Sequence, residues 1–581
     1  MPPCLDDFPL NHHPLPSSDS LNNARPRRSA GIAGVALLLS SLGIAAAPIS
    51  IPDAGQAVRD AQSQRLDLPA PMELDPEKPA PQDAGATDAS AEGPRVRVDK
   101  FQVGGNRVFD SARLLALLAD LEGHELSLPQ LHAAAGRIGD FYQQHGYVLA
   151  RAYLPAQEIE NGTVRLEVVE GRYGQVELHN GSRTLDPVVR QPLANLESGT
   201  PVKGDELERS LLLLSDIPGV EAKGTLLPGQ VPGTTDLRID ARTAPLFSGR
   251  LEADNFGDRA MGEYRLGGVF DLNGPLGLGD QLNLRLLGSD RHQRYYRAAY
   301  QLPLGPWGSR IGMAHSETSY RLVRDFKEWE AHGRAIIDSL FLTHPLLRSR
   351  AFNLSTQLQY EEKRLNDDID LFEFKKSKQI HLWTAGFSGS SQDRLLGGGQ
   401  TGFSLAYGHG RLNLDSGERS RDRKSAGTQG RFDKLSINAV RLQRLTDRLQ
   451  LFTQLNAQWS SGNLDSAEKF DIGGAYGVRA FPSGTQGGTG DEGWQASAEL
   501  RYSLAPGWQL SSFVDQGAVK FQKKPWTPEV NRNRMGGAGT GATWYGADHQ
   551  VSLTAAWPLG QEKGIAPDRN PRLWLQATRY F

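Results

Sequence analysis

The sequence predicts a mostly β protein: a C-terminal transmembrane antiparallel β-barrel preceded by two α+β modules. Three observations predict it. From residue 246 to the end, apolar and polar residues alternate with period two. Before that, the order β-α-α-β-β occurs twice. Finally, hydrophobic residues make up 38% of the chain and the mean hydropathy is -0.46, too polar for a polytopic helical membrane protein. A barrel fits, because only its outer face must be apolar. Glycine, 64 of 581 residues, exceeds the usual share of about 7%. A formal net charge of -3 gives no reason to expect a nucleic-acid partner.

The first element, residues 1–47, reads as a secretory signal peptide. Arg25, Arg27 and Arg28 precede the apolar run Gly31–Leu39, and Ala45, Ala46 and Ala47 follow it. The alternative is a membrane anchor, for which the core is short. The one cysteine, Cys4, precedes the expected cleavage site. The mature chain then has no thiol for disulfides, zinc or nucleophilic catalysis. Residues 48–94 join a weak helix, Asp53 to Leu66, to a Pro/Ala/Asp-rich linker (68–94) that cannot bury enough apolar surface to fold. Asp53 is positioned to cap that helix. Its apolar face is small, so it suits a polar channel.

The first module spans residues 95–172. It opens on a strand with Val96, Val98, Phe101 and Val103 and turns at Gly104-Gly105-Asn106. Helices are predicted near 111–121 and 128–145, then strands at 148–154 and 163–170. The second module, residues 173–245, repeats the order: a strand at 175–178, helices near 186–195 and 204–214, and strands near 219–226 and 235–242. Two unrelated α/β domains are the alternative.

The barrel spans 246–581 and has room for about sixteen strands at roughly 20 residues per strand and connection. Leu449, Leu451, Leu455 and Trp459 alternate with Gln450, Gln454, Asn456 and Gln458, and Leu282, Leu284 and Leu286 with Gln281, Asn283 and Arg285. A soluble sandwich also alternates, but charged residues facing inward suit a wet lumen better than a packed core. The charged segments 361–378 and 410–430 read as loops. In this setting a Gly-rich loop with Val478, Arg479 and Phe481 precedes a strand on which Phe513, Asp515 and Gly517 share one face. If that face lines the lumen, Arg479 and Asp515 can pair in a partly dry site, and Gly517 leaves room for the loop. The alternative is a solvated loop arginine and an unrelated lumen aspartate.

The chain resembles two-partner-secretion outer-membrane transporters of the TpsB type, to which haemolysin activator/secretion proteins belong. Two modules before a barrel resemble polypeptide-transport-associated (POTRA) domains. Asp254-Asn255-Phe256-Gly257, with Asp254, Asn255 and Gly257 as a barrel start motif, is placed on the first barrel strand. Gly274–Asp280 resembles the family's first periplasmic turn, and Gly473–Pro482 the tip of its sixth extracellular loop. The resemblance implies that this loop folds into the barrel and that helix 53–66 plugs the pore. It implies periplasmic POTRA modules, a secreted exoprotein with an N-terminal secretion domain as partner, contact with outer-membrane lipid, and help from the barrel-assembly machinery. Phe581 fits the C-terminal assembly signal. Two departures stand out: Ala480 replaces the usual glycine after the loop arginine, and Arg579 occupies the usual apolar position two before Phe581. No cofactor is expected. No H-E-x-x-H, G-x-S-x-G or nucleotide-binding glycine loop occurs, so no enzyme is expected. An assembly factor of the same superfamily and a porin with a periplasmic extension are the other readings.

Overall fold

A computed structural model describes residues 51–62, 94–484, 487–560 and 569–581. The expected signal peptide and all of the linker except Pro94 lie outside the described residues.

Two modules of like topology come first. In one, Lys100–Gly104 lies parallel to Thr163–Val169, which pairs antiparallel with Arg151–Tyr153. In the other, Arg172–Gly181 lies parallel to Thr234–Thr243, which pairs antiparallel with Val220–Pro228. Helices cover one face of each sheet and close cores around Phe101, Leu114, Ile138 and Tyr142, and around Val189, Leu214 and Ile239. The first module departs from expectation in detail. Its opening strand breaks at Asp99, and Arg95–Val98 pairs with His124–Ser127, a strand the sequence reading missed. The first helix is α only to Leu115 and then tightens to 3-10. The strand expected at 148–154 shortens to Arg151–Tyr153.

Glu170 ties the two modules together. Its buried carboxylate accepts the backbone N–H groups of Arg107 and Val108, both at 2.6 Å, the Tyr142 hydroxyl at 3.1 Å and the Arg172 guanidinium at 2.7 Å. Burial pushes this carboxyl's pKa up, but these hydrogen bonds win and hold it below its ordinary value. A depressed carboxyl pKa stabilises at neutral pH, and that stability is lost as pH falls through the folded-state value. Glu170→Ala therefore costs about 1–3 kcal/mol at pH 7 through its orphaned donors. Hydrogen exchange on the full chain checks this: amides of 105–110 exchange faster in the variant at pH 7, and the difference shrinks in acid.

Sixteen strands, from Phe247–Asp254 to Arg572–Tyr580, form a closed antiparallel barrel. Each pairs with its sequence neighbour, and the last pairs with the first. Outward residues are apolar and exposed, as at Leu455, Trp459, Leu573 and Leu575, whereas Phe452 and Gln458 face inward and are buried. No described helix is long and apolar enough to cross a membrane; the strands do so.

The wall is uneven in height. The first strand has 8 residues, while Phe374–Asp393 has 20. At about 3.3 Å per residue, the longest strand far exceeds an apolar band of about 25 Å. Here the sequence reading needs correction. Residues 361–369 and 374–378 are strand, with one 3-10 turn between them. In 410–430, strand runs to Leu414 and a helix spans Ser416–Arg423. These segments read as loops because both faces turn polar above the apolar band.

The closing seam is short. Five residue pairs join the last strand to the first, against eighteen between Phe352–Ile369 and Phe374–Asp393. Asp254 ends the first strand, so Asn255 and Gly257 lie beyond it rather than on it. The Asn255 carboxamide nevertheless extends the seam: it donates to the Leu573 carbonyl at 2.9 Å and accepts the Leu575 N–H at 2.8 Å. At the other end Phe581 exchanges backbone hydrogen bonds with Gly249, at 3.0 and 3.1 Å, and its ring lies 5.9 Å from Phe270.

The second module sits on the barrel. The Gly274–Asp280 turn packs against it, with the Leu185 N–H donating to Gly277 at 2.8 Å. The Asp280 carboxylate holds that turn by accepting from the backbone N–H groups of Leu276 and Leu278. Arg348 adds two bonds of 2.8 Å to Asp216.

Candidate functional site

The connection 461–491 between the eleventh and twelfth barrel strands folds back into the lumen. Its tip turns tightly: Gly474 has φ +93°, and the Val478 N–H donates to the Ile472 carbonyl at 2.7 Å. Ile472, Val478, Ala480 and Phe481 bury themselves against Phe513, Val519 and Met535 of the wall. This small apolar core fixes the direction in which Arg479 leaves the turn.

Arg479 reaches two strands. Its Nη2 and Nε donate to the two Asp515 oxygens at 2.8 and 2.9 Å, and its backbone N–H donates to the same carboxylate at 3.1 Å. Nη1 donates to Glu499 at 2.6 Å and Nη2 to the Ser497 hydroxyl at 3.0 Å. The guanidinium lies 3.3 Å from the Phe513 ring centroid. The Asp515 side chain is 1% exposed, so its charge is out of water and needs this partner. A forked, planar guanidinium satisfies two carboxylates and a ring face at once, which an ammonium does not. The arrangement anchors the loop to the wall through polar bonds that water can replace.

The structure thus brings Arg479, Phe513 and Asp515 together, with Val478 and Phe481 in the supporting core. Gly517 lies beside them: an added Cβ would sit 3.2 Å from Ile472 Cβ. Ala480 is not among the residues with positive φ, so the alanine fits its turn without strain. Its methyl instead needs Gly537, where a Cβ would lie 2.9 Å away. Of the start motif, Asp254 binds Arg265 at 2.8 Å. At Gly257 a Cβ would meet the Gly262 carbonyl at 2.1 Å. Sequence reasoning missed Glu499, Ser497 and Trp574. The Trp574 indole N–H donates to the Arg479 carbonyl at 2.7 Å and so links the loop to the seam strand. Gln495, Ser497, Glu499 and Arg501 alternate with Ala496, Ala498 and Leu500 in the sequence, but the register that places them beside Asp515 is seen only in the structure.

Inside the wall lies the helix Ala54–Gln62. Asp53 caps it, accepting the Gln56 N–H at 3.1 Å. Ala54, Ala57 and Val58 pack against Tyr320, Ala335, Leu365 and Ala467. Its polar side is held by Gln56 to Asp258 at 3.0 Å and by Gln293 to the Ala57 carbonyl at 3.1 Å. Two groups grip its first turn. Lys378, fully buried on its strand, contacts Asp53 at 3.1 Å and Asp465 of the inward loop at 2.9 Å. Asp367 accepts the Ala54 N–H and the Tyr320 hydroxyl, each at 2.7 Å. The loop's Ser466 and Ala467 press on Gly55, where a Cβ would lie 2.5 Å from Ala467 N. Behind them Glu468 is held by Lys363 at 2.8 Å and Lys434 at 2.6 Å. The same loop therefore bonds the wall at Arg479 and grips the helix at 465–467.

The model of the haemolysin secretion/activation protein family (ShlB/FhaC/HecB) matches residues 233–544, and that of the ShlB-type POTRA domain matches residues 96–171. The heme/hemopexin transporter protein HuxB of Haemophilus influenzae (strain 86-028NP) is 29% identical over 480 residues, 81% of this chain and 84% of that one. The hemolysin transporter protein ShlB of Serratia marcescens is 25% identical over 457 residues, 72% of this chain and 78% of that one. Among solved structures, CdiB from Escherichia coli superimposes with a TM-score of 0.69 at 22% identity, covering 88% of this chain and 94% of that chain; this likeness shows the fold. With more than half of its length matched by the family model, the chain belongs to the haemolysin secretion/activation family of outer-membrane, two-partner-secretion transporters, with its POTRA modules in the periplasm.

Proposed function

We propose that this chain secretes one partner exoprotein of the haemolysin or adhesin type, its POTRA modules receiving the unfolded cargo and its barrel serving as the pore. The observation that supports the reading is a lumen occupied by two parts, the inner helix and the inward loop. Both carry ion pairs and hydrogen bonds to the wall beside their apolar contacts. A static porin needs no such closure. Polar contacts exchange with water at little net cost, so parts held this way can leave and return.

In this reading the helix Ala54–Gln62 is a plug, and Arg479 with Asp515 is the lock that seats the loop. Val478, Phe481, Phe513 and Gly517 shape the lock's socket. Asp254, Asn255 and Gly257 set the start of the barrel, and Phe581 is its assembly signal. Cargo has sheet edges to join by β-augmentation: Lys100–Gly104 and Arg151–Tyr153 flank the first module's sheet, and Arg172–Gly181 and Val220–Pro228 the second's. Folding outside the cell supplies the drive, and no catalytic step is invoked.

The test is deletion of the gene in cells that make the partner exoprotein. The reading expects the exoprotein to vanish from the surface and medium while other outer-membrane barrels keep their abundance. Intact secretion with a fall in other barrels would instead make the chain an assembly factor.

A further inference from the structure

The tall side of the barrel carries charge on its outer face as well as its inner one. Across strands five to nine, Met313, Leu340, Tyr360, Trp383 and His409 lie in register, and the row below them is apolar, with Leu342, Leu358 and Tyr407. Trp383 and Tyr407 are each 50% exposed, as expected at the upper edge of a membrane belt. The next row up is ionic: His315, Asp338, Glu362, His381, Arg411 and Arg431 follow one another across six strands. Two residues of strand place that row about 6–7 Å above the Trp383 row, at the level of lipid headgroups.

Most of this row is paired. His315 contacts Asp338 at 2.7 Å, Glu362 accepts from Gln379 at 2.7 Å, and His381 contacts the Tyr360 hydroxyl at 2.9 Å. Below Arg431, Asp433 is engaged by His409 and the Tyr407 hydroxyl, both at 2.7 Å. Arg411 and Arg431 differ. They stand directly opposite each other on adjacent strands, both exposed, with buried Leu412 and Phe432 showing that both point outward. Like charges directly opposite on a sheet are destabilising. The connection between them does not relieve this: residues 411–431 hold six basic and three acidic side chains. Those three are already occupied, Asp415 capping the helix, Glu418 bonding Arg421, and Asp422 holding Thr428.

Two opposed guanidinium forks at headgroup height call for a phosphate, the anion arginine binds best in this geometry. We infer that Arg411 and Arg431 form a binding site for a phosphate of the phosphorylated glycolipid in the outer leaflet, with Trp383 and Tyr407 lying against its acyl chains. The site pins the tall wall at a fixed depth in the membrane.

The experiment mixes the full-length protein in detergent with diphosphorylated lipid A and counts bound lipid by native mass spectrometry. Wild type retains the lipid, and Arg411→Gln/Arg431→Gln retains about tenfold less. Lipid A stripped of phosphate is retained poorly by both, and inorganic phosphate at the lipid's concentration does not displace it. Equal retention by the variant, equal retention of the stripped lipid, or displacement by inorganic phosphate would overturn the site. Heat-modifiable gel mobility supplies the second readout. Without lipid A the double variant is at least as heat-resistant as wild type, because repulsion is gone; with lipid A it is less resistant. A variant weaker in both conditions would mean that the arginines serve only the fold.

Discussion

Arg479→Ala should abolish secretion of the partner exoprotein while the barrel still reaches the membrane. The substitution leaves Asp515 and Glu499 buried at 1% and 8% side-chain exposure. Removing one partner of a buried ion pair typically costs about 3–5 kcal/mol, and here two carboxylates lose their shared cation, although Glu499 keeps Arg501 at 2.7 Å and Asp515 keeps the Ser497 hydroxyl at 2.7 Å. The loop tip responds first, because its apolar socket is small and its remaining ties to the seam are a few polar and ring contacts, among them the Trp574 bond and Tyr476 against Phe256. The sixteen-strand ladder does not depend on this pair. Heat-modifiable gel mobility should therefore show a folded barrel whose loop 461–491 is accessible to protease. Arg479→Lys should recover little, since an ammonium cannot fork to Asp515 and stack on Phe513 together.

Lys378→Met should open the channel. Lys378 is the cation that bridges the helix cap Asp53 and the loop residue Asp465, with the Ser466 hydroxyl bonded to the same two carboxylates. Its loss leaves two carboxylates facing each other across the helix's first turn, a penalty of about 3 kcal/mol. The helix is nine residues long, too short to hold together unless it is packed, so it leaves. In planar bilayers the wild type should stay mostly closed and the variant mostly open, and cells should become more sensitive to antibiotics too large for ordinary porins. Gly55→Val should do the same by a different route, because its side chain has no space against Ala467. Removing residues 53–62 on top of Lys378→Met should add nothing. Additive opening would show that Lys378 acts elsewhere.

The sequence made the barrel legible because period-two alternation survives wherever one face meets lipid. It failed where that condition ends. Residues 361–369 keep strand geometry, but above the apolar band Glu362 and Arg364 face out while Lys363 and Asp367 face in, and a strand polar on both faces reads as a loop. The Arg479–Asp515 pair was legible because its residues lie in short motifs. Glu499, Ser497, Trp574 and Lys378 were not, because their roles depend on strand register and on which strands the inner helix lies beside. Helix 53–66 read as a weak channel helix from its short apolar face. In the structure that face is Ala54, Ala57 and Val58, small enough to lie against the barrel wall.

The most direct measurement places a photo-crosslinking residue at Asn456 or at its neighbour Leu455 while a partner exoprotein is stalled in transit by a stable folded domain. Asn456 lines a polar cavity beside the inner helix, with Gln56 and Arg59, and Leu455 faces outward. If the partner passes through this barrel, Asn456 crosslinks to it and Leu455 does not. Secretion that continues with no crosslink at Asn456, or with equal crosslinking at both, would contradict passage through the lumen.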